Sequence, residues 1–221
     1  MPAERSLADK VYDKVKERII DQTYPAGMAL TELGLAAEFG VSKTPVKSAI
    51  VRLLNENWLE SGFRKKVYVK DITEEQIKDY YELRILLENA AIEKIFNDEK
   101  NWDFSFELET ALVKMKASVN EHLSFEKADA NFHSTLMRIF QNEKIMDIYS
   151  DLNDELLRVS MMVRGHSINK ERNYYETIIS EFESFILAVR NGDKKSAVNY
   201  LIDIHIMRSY HEALESIRQT E

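Results

Sequence analysis

The chain has 221 residues, 44% of them hydrophobic and 31% charged, with 6 Gly, 3 Pro and no Cys. That length holds one large domain or two small ones, and the absence of Cys excludes a disulfide framework and thiolate chemistry. No run of about eighteen apolar residues is present to span a membrane. The opening MPAERSLADK lacks the apolar stretch of a signal peptide, so a cytoplasmic protein is expected. The net charge of −8 is unevenly spread: residues 1–70 carry 12 Lys and Arg against 9 Asp and Glu, a balance of +3, which leaves −11 for the remainder. A mildly basic head on an acidic body suits a protein that meets phosphate with one end only.

Leu7, Val11, Val15 and Ile19 recur every fourth residue and predict an amphipathic helix, broken at Tyr24-Pro25-Ala26-Gly27. Thr31 is placed to cap a short helix from Glu32 to Phe39, which Gly40 ends. Ser42 is placed to cap a third helix, with Pro45 in its first turn and Val46, Ile50, Leu53 and Leu54 as its apolar stripe. After Trp58 the period changes. Leu59–Ser61 and Val67–Val69 read as two short strands around a basic tip, Arg64-Lys65-Lys66. Three helices followed by a basic hairpin describe a winged helix-turn-helix over residues 1–72.

The third helix would present Lys43, Thr44, Lys47 and Ser48 near its start, where a recognition helix meets base edges and phosphates. The Arg64, Lys65 and Lys66 tip would enter a minor groove or lie along phosphates. Taken singly, each lysine is an ordinary solvated position. Their order along this set of elements points to double-stranded DNA.

Thr73-Glu74-Glu75-Gln76 reads as a capping box that opens a second, all-helical domain over residues 73–221. Helices are expected at about 74–97, 103–118, 124–140, 143–165, 170–190 and 194–217, with Gly192 ending one and Asp193 capping the next. Some polar residues fall on apolar stripes. Arg84 and Glu88 share a face with Ile77, Tyr81, Ala91 and Ile95. Asp129 and His133 stack four apart beside Phe132, Leu136 and Phe140, and His205 and Arg208 share a face with Ala197 and Leu201. A carboxylate and two imidazoles converging inside a bundle can hold a divalent metal. An inward Arg can bind a carboxylate ligand through two parallel hydrogen bonds. The plainer readings are core histidines and an Arg84–Glu88 ion pair. His122, His166 and His211 show no partner pattern.

The stretch LTELGLAAEFGVSKTPVKSAIVRL, Leu30 to Leu53, resembles the signature of the GntR family of bacterial regulators. The resemblance places that family's DNA-contacting basic residues at Lys43 and Lys47. Lys stands at both where Arg is usual, and Lys cannot make the planar two-pronged contact of Arg, which bears on operator sequence and affinity. Residues 74–217 resemble the FCD ligand-sensing domain, through YELRILLE around Arg84, the Asp129–His133 motif and the run from Gly192 to His205. This implies Asp129, His133 and His205 as ligands of a divalent metal (zinc, nickel or manganese), Arg84 as the anchor of a carboxylate effector, and a homodimer on a palindromic operator. One departure stands out: Phe182 replaces the histidine usual in the penultimate helix. Three ligands and water could still hold a metal, with Glu181 as an alternative donor. The other outcome is a metal-free pocket for apolar effectors.

Two further functions compete. Two His and a carboxylate can form an open iron site of an enzyme, but no Gly-rich cofactor loop or nucleophile motif accompanies them. A helical interaction protein with a protein-binding head is the third reading, and the basic helix start and hairpin tip argue against it. The expectation is a non-enzymatic, effector-controlled DNA-binding transcriptional regulator.

Overall fold

The computed structural model describes residues 5–62, 66–97, 104–164 and 171–219, without the side chains of residues 164, 171 and 172. The chain divides into two compact units, Met1–Ile72 and Thr73–Glu221.

The first unit contains α1 (Leu7–Ile20), β1 (Ala29–Leu30), α2 (Glu32–Phe39), α3 (Lys43–Asn55), β2 (Leu59–Ser61) and β3 (Val67–Val69). Helix α1 opens with a reciprocal cap: Asp9 N–H donates to Ser6 Oγ, and Ser6 N–H donates to the Asp9 carboxylate. Thr31 Oγ1 accepts from Gly34 N–H to start α2, and Gly40 ends it in the left-handed region at φ 66°. Ser42 holds the N-cap position of α3, but its side chain makes no capping bond. Leu7, expected on the inner stripe of α1, is 57% exposed, because the core-facing row begins at Val11. Val15, Ile19, Val46 and Leu53 are fully buried where α1 crosses α3, with Leu35 and Trp58 closing the core around them.

The strands form an antiparallel sheet in the order β1-β3-β2. The hairpin pairs Leu59 with Val69 and Ser61 with Val67. The two-residue β1 adds Ala29 opposite Tyr68 and Leu30 opposite Val67, an edge the hydrophobic pattern did not announce. The alternation Val67-Tyr68-Val69 buries its two valines and leaves Tyr68 half-buried.

The second unit is a helical bundle of α4 (Glu74–Asn97), α5 (Phe104–Ala117), α6 (His122–Met137), α7 (Glu143–Arg164), α8 (Glu171–Arg190), α9 (Lys194–Val198) and α10 (Met207–Arg218). The capping box at its start forms: Gln76 N–H donates to Thr73 Oγ1, and Thr73 N–H donates to Gln76 Oε1. Gly192 (φ 68°) and Asp193, whose carboxylate accepts from Ser196 N–H, separate α8 from α9. Between α9 and α10 the helix does not break. It widens into an eight-residue π segment, Asn199–Ile206. The bundle core is aromatic at its centre, with Phe132 and Phe182 rings 4.1 Å apart and Phe125 and Tyr149 fully buried.

Leu53 is fully buried at the centre of the first unit, so Leu53→Ala should lower its stability by about 2–5 kcal/mol, the cost of a large-to-small change in a packed core. Leu86→Ala, at a position 66% exposed, should change stability by less than about 0.5 kcal/mol. Urea denaturation followed by circular dichroism measures both.

Candidate metal and effector centre

Three helices of the second unit bring their polar side chains to one point. Helix α6 supplies Asp129 and His133, stacked one turn apart, and the end of the π segment supplies His205. The imidazole Nε2 atoms of His133 and His205 lie 3.2 Å apart. Asp129 Oδ2 is 3.8 Å from the first and Asp129 Oδ1 is 3.7 Å from the second. One donor atom from each of the three residues falls within 4.8 Å of the others. His133 and His205 are buried, and Asp129 keeps a small exposed edge.

Carboxylates behind the imidazoles decide what the converging atoms can do. Glu88 Oε2 lies 2.8 Å from His133 Nδ1, and Glu181 Oε2 lies 3.0 Å from His205 Nδ1. Each carboxylate is itself clamped by an arginine. Arg84 donates through Nε to Glu88 Oε1 at 2.8 Å. Arg208 donates from Nη1 and Nη2 to Glu181 at 2.5 and 2.8 Å. An ionised carboxylate only accepts, so both Nδ1 atoms carry the hydrogen. Both Nε2 atoms therefore present lone pairs to the same spot. This is the arrangement in which a carboxylate orients a metal-binding histidine from behind. The Asp129 Oδ1 atom is buried without a hydrogen-bond partner, which leaves a further acceptor facing the two lone pairs.

The electrostatics agree. Burial pushes His205 down to about 4 and lowers His133 as well, so both rings are neutral near pH 7 and free to ligate. Burial raises the Asp129 carboxyl, while the Arg84 and Arg208 charges pull it back. Burial alone would raise Glu88 too, but His133 and Arg84 outweigh it and hold it at about 2. Tyr149 donates its hydroxyl to Glu88 Oε1 at 2.7 Å, and burial keeps that hydroxyl protonated.

Phe182 is fully buried against this centre, its ring 4.5 Å from His205 and 5.3 Å from His133. It closes the α8 side with an apolar wall. Glu181, the alternative donor expected from sequence, does not face the metal position. It turns to Nδ1 of His205 and to Arg208, so its role is to orient. The sequence had offered Arg84 as an effector anchor or as an ion-paired residue. The ion pair is present, with Nε donating to Glu88, and Arg84 also lines a cavity of about 30 Å³ together with Asp129, Tyr81, Asn153 and Ser209.

Two contributors escaped the sequence. Tyr149 sits in an ordinary amphipathic helix and carries no distinguishing signal. Arg208 stood on the right face, but its partner on α8 could be found only in three dimensions. Of the histidines given no role, His122 contacts the Tyr175 hydroxyl through Nδ1 at 2.8 Å, His211 stacks on Tyr210, and His166 lies outside the described residues.

In the first unit, Lys43, Thr44, Lys47 and Ser48 are all exposed on the first turns of α3. Ser48 Oγ donates to the Thr44 carbonyl at 3.3 Å. Lys66 is exposed beside β3, whereas Arg64 and Lys65 lie outside the described residues.

A head of this architecture joined to a helical sensor bundle defines a ligand-responsive transcription factor. Residues 1–69 match the bacterial regulatory proteins of the gntR family, and residues 79–215 match the FCD domain. The chain belongs to the GntR family and carries an FCD effector-binding domain. It is 28% identical over 192 residues to the gluconate operon transcriptional repressor of Bacillus licheniformis, covering 86% of this chain and 78% of that one. It is 25% identical to the Nta operon transcriptional regulator of Aminobacter aminovorans, covering 87% of each. Among solved structures, McbR/YncC of E. coli shares the fold with a TM-score of 0.76 at 19% identity, over 99% of this chain and 100% of that one. These relatives are transcriptional regulators, and no helix among the described residues is long and apolar enough to cross a membrane.

Glu88→Ala should destabilise the second unit by about 3–5 kcal/mol, because it leaves the Arg84 charge buried without its partner. The double change Arg84→Met with Glu88→Leu should recover part of that loss, since it removes the unpaired charge but leaves the Tyr149 hydroxyl and His133 Nδ1 without their acceptor. Urea midpoints of the three proteins test this; a double variant no more stable than the single one would contradict it.

Proposed function

We propose that this chain is an operon regulator whose DNA affinity is set by an organic acid bound beside a divalent metal in the second unit, and that it acts as a homodimer. The observation that carries this reading is the convergence of two imidazole lone pairs on Asp129, with each imidazole held from behind by a carboxylate. Asp129, His133 and His205 would hold the ion. A metal there supplies positive charge and open coordination positions for an anionic oxygen. Arg84 keeps its terminal nitrogens for a carboxylate at the same cavity. The relatives named for the gluconate operon support a sugar acid or similar hydroxy acid as effector.

The enclosed part of the cavity is small, about 30 Å³, and it opens to solvent. An acid seated against Arg84 and Asp129 would touch walls contributed by α4, α6, α7 and α10. An acid that prefers one arrangement of these helices would shift the bundle toward it. In the head, Lys43, Thr44, Lys47, Ser48 and Lys66 would contact the operator, with Arg64 and Lys65 extending the basic tip. Two heads on a two-fold axis would read half-sites about one helical turn apart. We read the centre as a sensor and not as a catalytic iron site.

Elemental analysis of protein purified without chelator should find about one zinc, nickel or manganese per chain, and His133→Ala or His205→Ala should abolish it. A metal content unchanged by either substitution would place any ion elsewhere.

Operator affinity should fall steeply as salt rises, because bound phosphates release counterions. Lys43→Ala and Lys47→Ala should each weaken binding and reduce the salt slope by about one. A head that binds protein would show neither effect in a fluorescence-anisotropy titration.

A further inference from the structure

The cavity beside Arg84 is built on two levels. Tyr81 and Arg84 on α4, Glu126 and Asp129 on α6, and Ser209 and Glu212 on α10 all line it, each pair three residues apart. Helices α4 and α6 run in the same direction here, since Glu88 meets His133 and Arg84 acts on the charge of Asp129. Helix α10 runs against α4, since Tyr210 packs on Tyr81 and Arg218 reaches Glu74. Arg84, Asp129 and Ser209 therefore form one level. Tyr81, Glu126 and Glu212 form the other, about 4.5 Å further along the helices, the rise of three residues.

The two levels differ in charge. Arg84 is the one basic side chain among the described residues of the lining, and its Nε is spent on Glu88. The second level carries two carboxylates. Glu126 is 2% exposed and accepts the Ser160 hydroxyl. Glu212 is half-buried and accepts the Tyr174 hydroxyl at 3.0 Å. Arg208 Nε stands 3.8 Å from Glu212, but Nη1 and Nη2 of Arg208 are committed to Glu181. An acid that offers only hydroxyls beyond its carboxylate brings a further negative charge to a wall with three carboxylates and one guanidinium, which Glu88 also claims. A metal at Asp129 would offset the first level and leave the second as it is. A cationic group on the ligand itself removes the conflict, and hydrogen bonds between ionised partners are roughly twice as strong as neutral ones.

We propose that the effector is a zwitterion, with its carboxylate bound at Arg84 and an ammonium group on the same molecule held by Glu126 and Glu212. This rests on the reading that an acid binds at the cavity, and it narrows the class to acids that carry an amine, an amino sugar acid among them. The three donors of an ammonium suit two carboxylates and one further acceptor. The separation of the levels sets the reach. In 4-aminobutyrate, extended at ordinary bond lengths, the nitrogen stands about 5 Å from the carboxyl carbon, close to the step from the Arg84 level to the Glu126 level.

Isothermal titration calorimetry on the full chain, with one equivalent of zinc present, tests this with a matched pair. The probes 4-aminobutyrate and 4-hydroxybutyrate differ only at the terminal group. Wild type should bind the amino acid at least about 10-fold more tightly, the gain expected of charge-assisted hydrogen bonds. Glu212→Gln and Glu126→Gln should each bring the two affinities to within about 3-fold of one another. The ratio is decisive because a packing defect weakens both ligands alike, and Glu212→Gln keeps an acceptor for the Tyr174 hydroxyl. Butylamine, which lacks the carboxylate, should bind at least about 10-fold more weakly than 4-aminobutyrate; equal binding would make this a plain cation site and refute the proposal. A wild type without preference for the amino acid, or a preference that survives both substitutions, overturns it as well. If D-gluconate or 4-hydroxybutyrate binds and 4-aminobutyrate does not, the acid site stands and only the zwitterion is wrong. If none of the three acids binds, the acid-site reading itself fails.

Discussion

Much of the second unit is organised around one carboxylate. Glu88 is fully buried, a position an acidic side chain occupies only when it is paired and hydrogen-bonded. It meets that condition through three donors: Arg84 from its own helix, Tyr149 from α7 and His133 from α6. These contacts tie three helices to a single point deep in the bundle. They also fix the protonation of His133, since the carboxylate can only accept. The same group is therefore both a structural tie and the element that aims a lone pair at His205 and Asp129. Glu181 repeats the device on the opposite side, with Arg208 as clamp and His205 as the oriented ring. The sequence Arg–carboxylate–imidazole, facing imidazole–carboxylate–Arg, gives the centre an approximate internal symmetry that the chain connectivity does not have.

This construction explains how the centre tolerates Phe182. An imidazole in that place would add a donor, but the geometry of the remaining two does not depend on it. Their aim is set from behind. The Phe182 ring instead packs on both imidazoles and on Phe132, so the α8 side of the centre is dry and closed. Approach is left to the side where Asp129 has its exposed edge and where Arg84 reaches the cavity. The opening carries Arg84 together with Glu126, Asp129 and Glu212, so its charge is mixed and mostly acidic.

The fold was largely legible because its signals are local. Caps at Thr31, Thr73 and Asp193, terminators at Gly40 and Gly192, and the switch from a helical period to alternation after Trp58 each act within a few residues. The stripe Ile77, Tyr81, Arg84, Glu88, Ala91 and Ile95 is wholly buried, as its spacing requires. What stayed hidden depends on distance in sequence. Strand β1 is two residues long and exists only because Tyr68 and Val67 offer an edge about forty residues later. The Glu181–Arg208 clamp joins two helices, so neither residue alone separates it from a solvated charge.

The last helix shows how a periodic signal can be read correctly for its face and wrongly for its geometry. Ala197, Leu201, His205, Ser209, Ala213 and Ile217 recur at a constant interval of four. All are buried except Ser209, which lines the cavity. In a regular α-helix four residues turn through about 400°, so a strict four-residue row drifts by about 40° at each step and by roughly 200° over five. A straight α-helix with Ala197 inside would turn Ile217 to the far side. The π segment resolves the conflict. At about 4.4 residues per turn, its eight residues lag an α-helix by roughly 145°, which takes up most of the drift. His205 lies at the end of this widened stretch, where the correction has nearly accumulated, so the segment is what allows one helix to pack its start, turn His205 inward at its middle and bury its end. Interruptions of this kind are concentrated at functional sites because they are retained only where something depends on the altered register. Here that dependence is the meeting of His205 with His133 and Asp129.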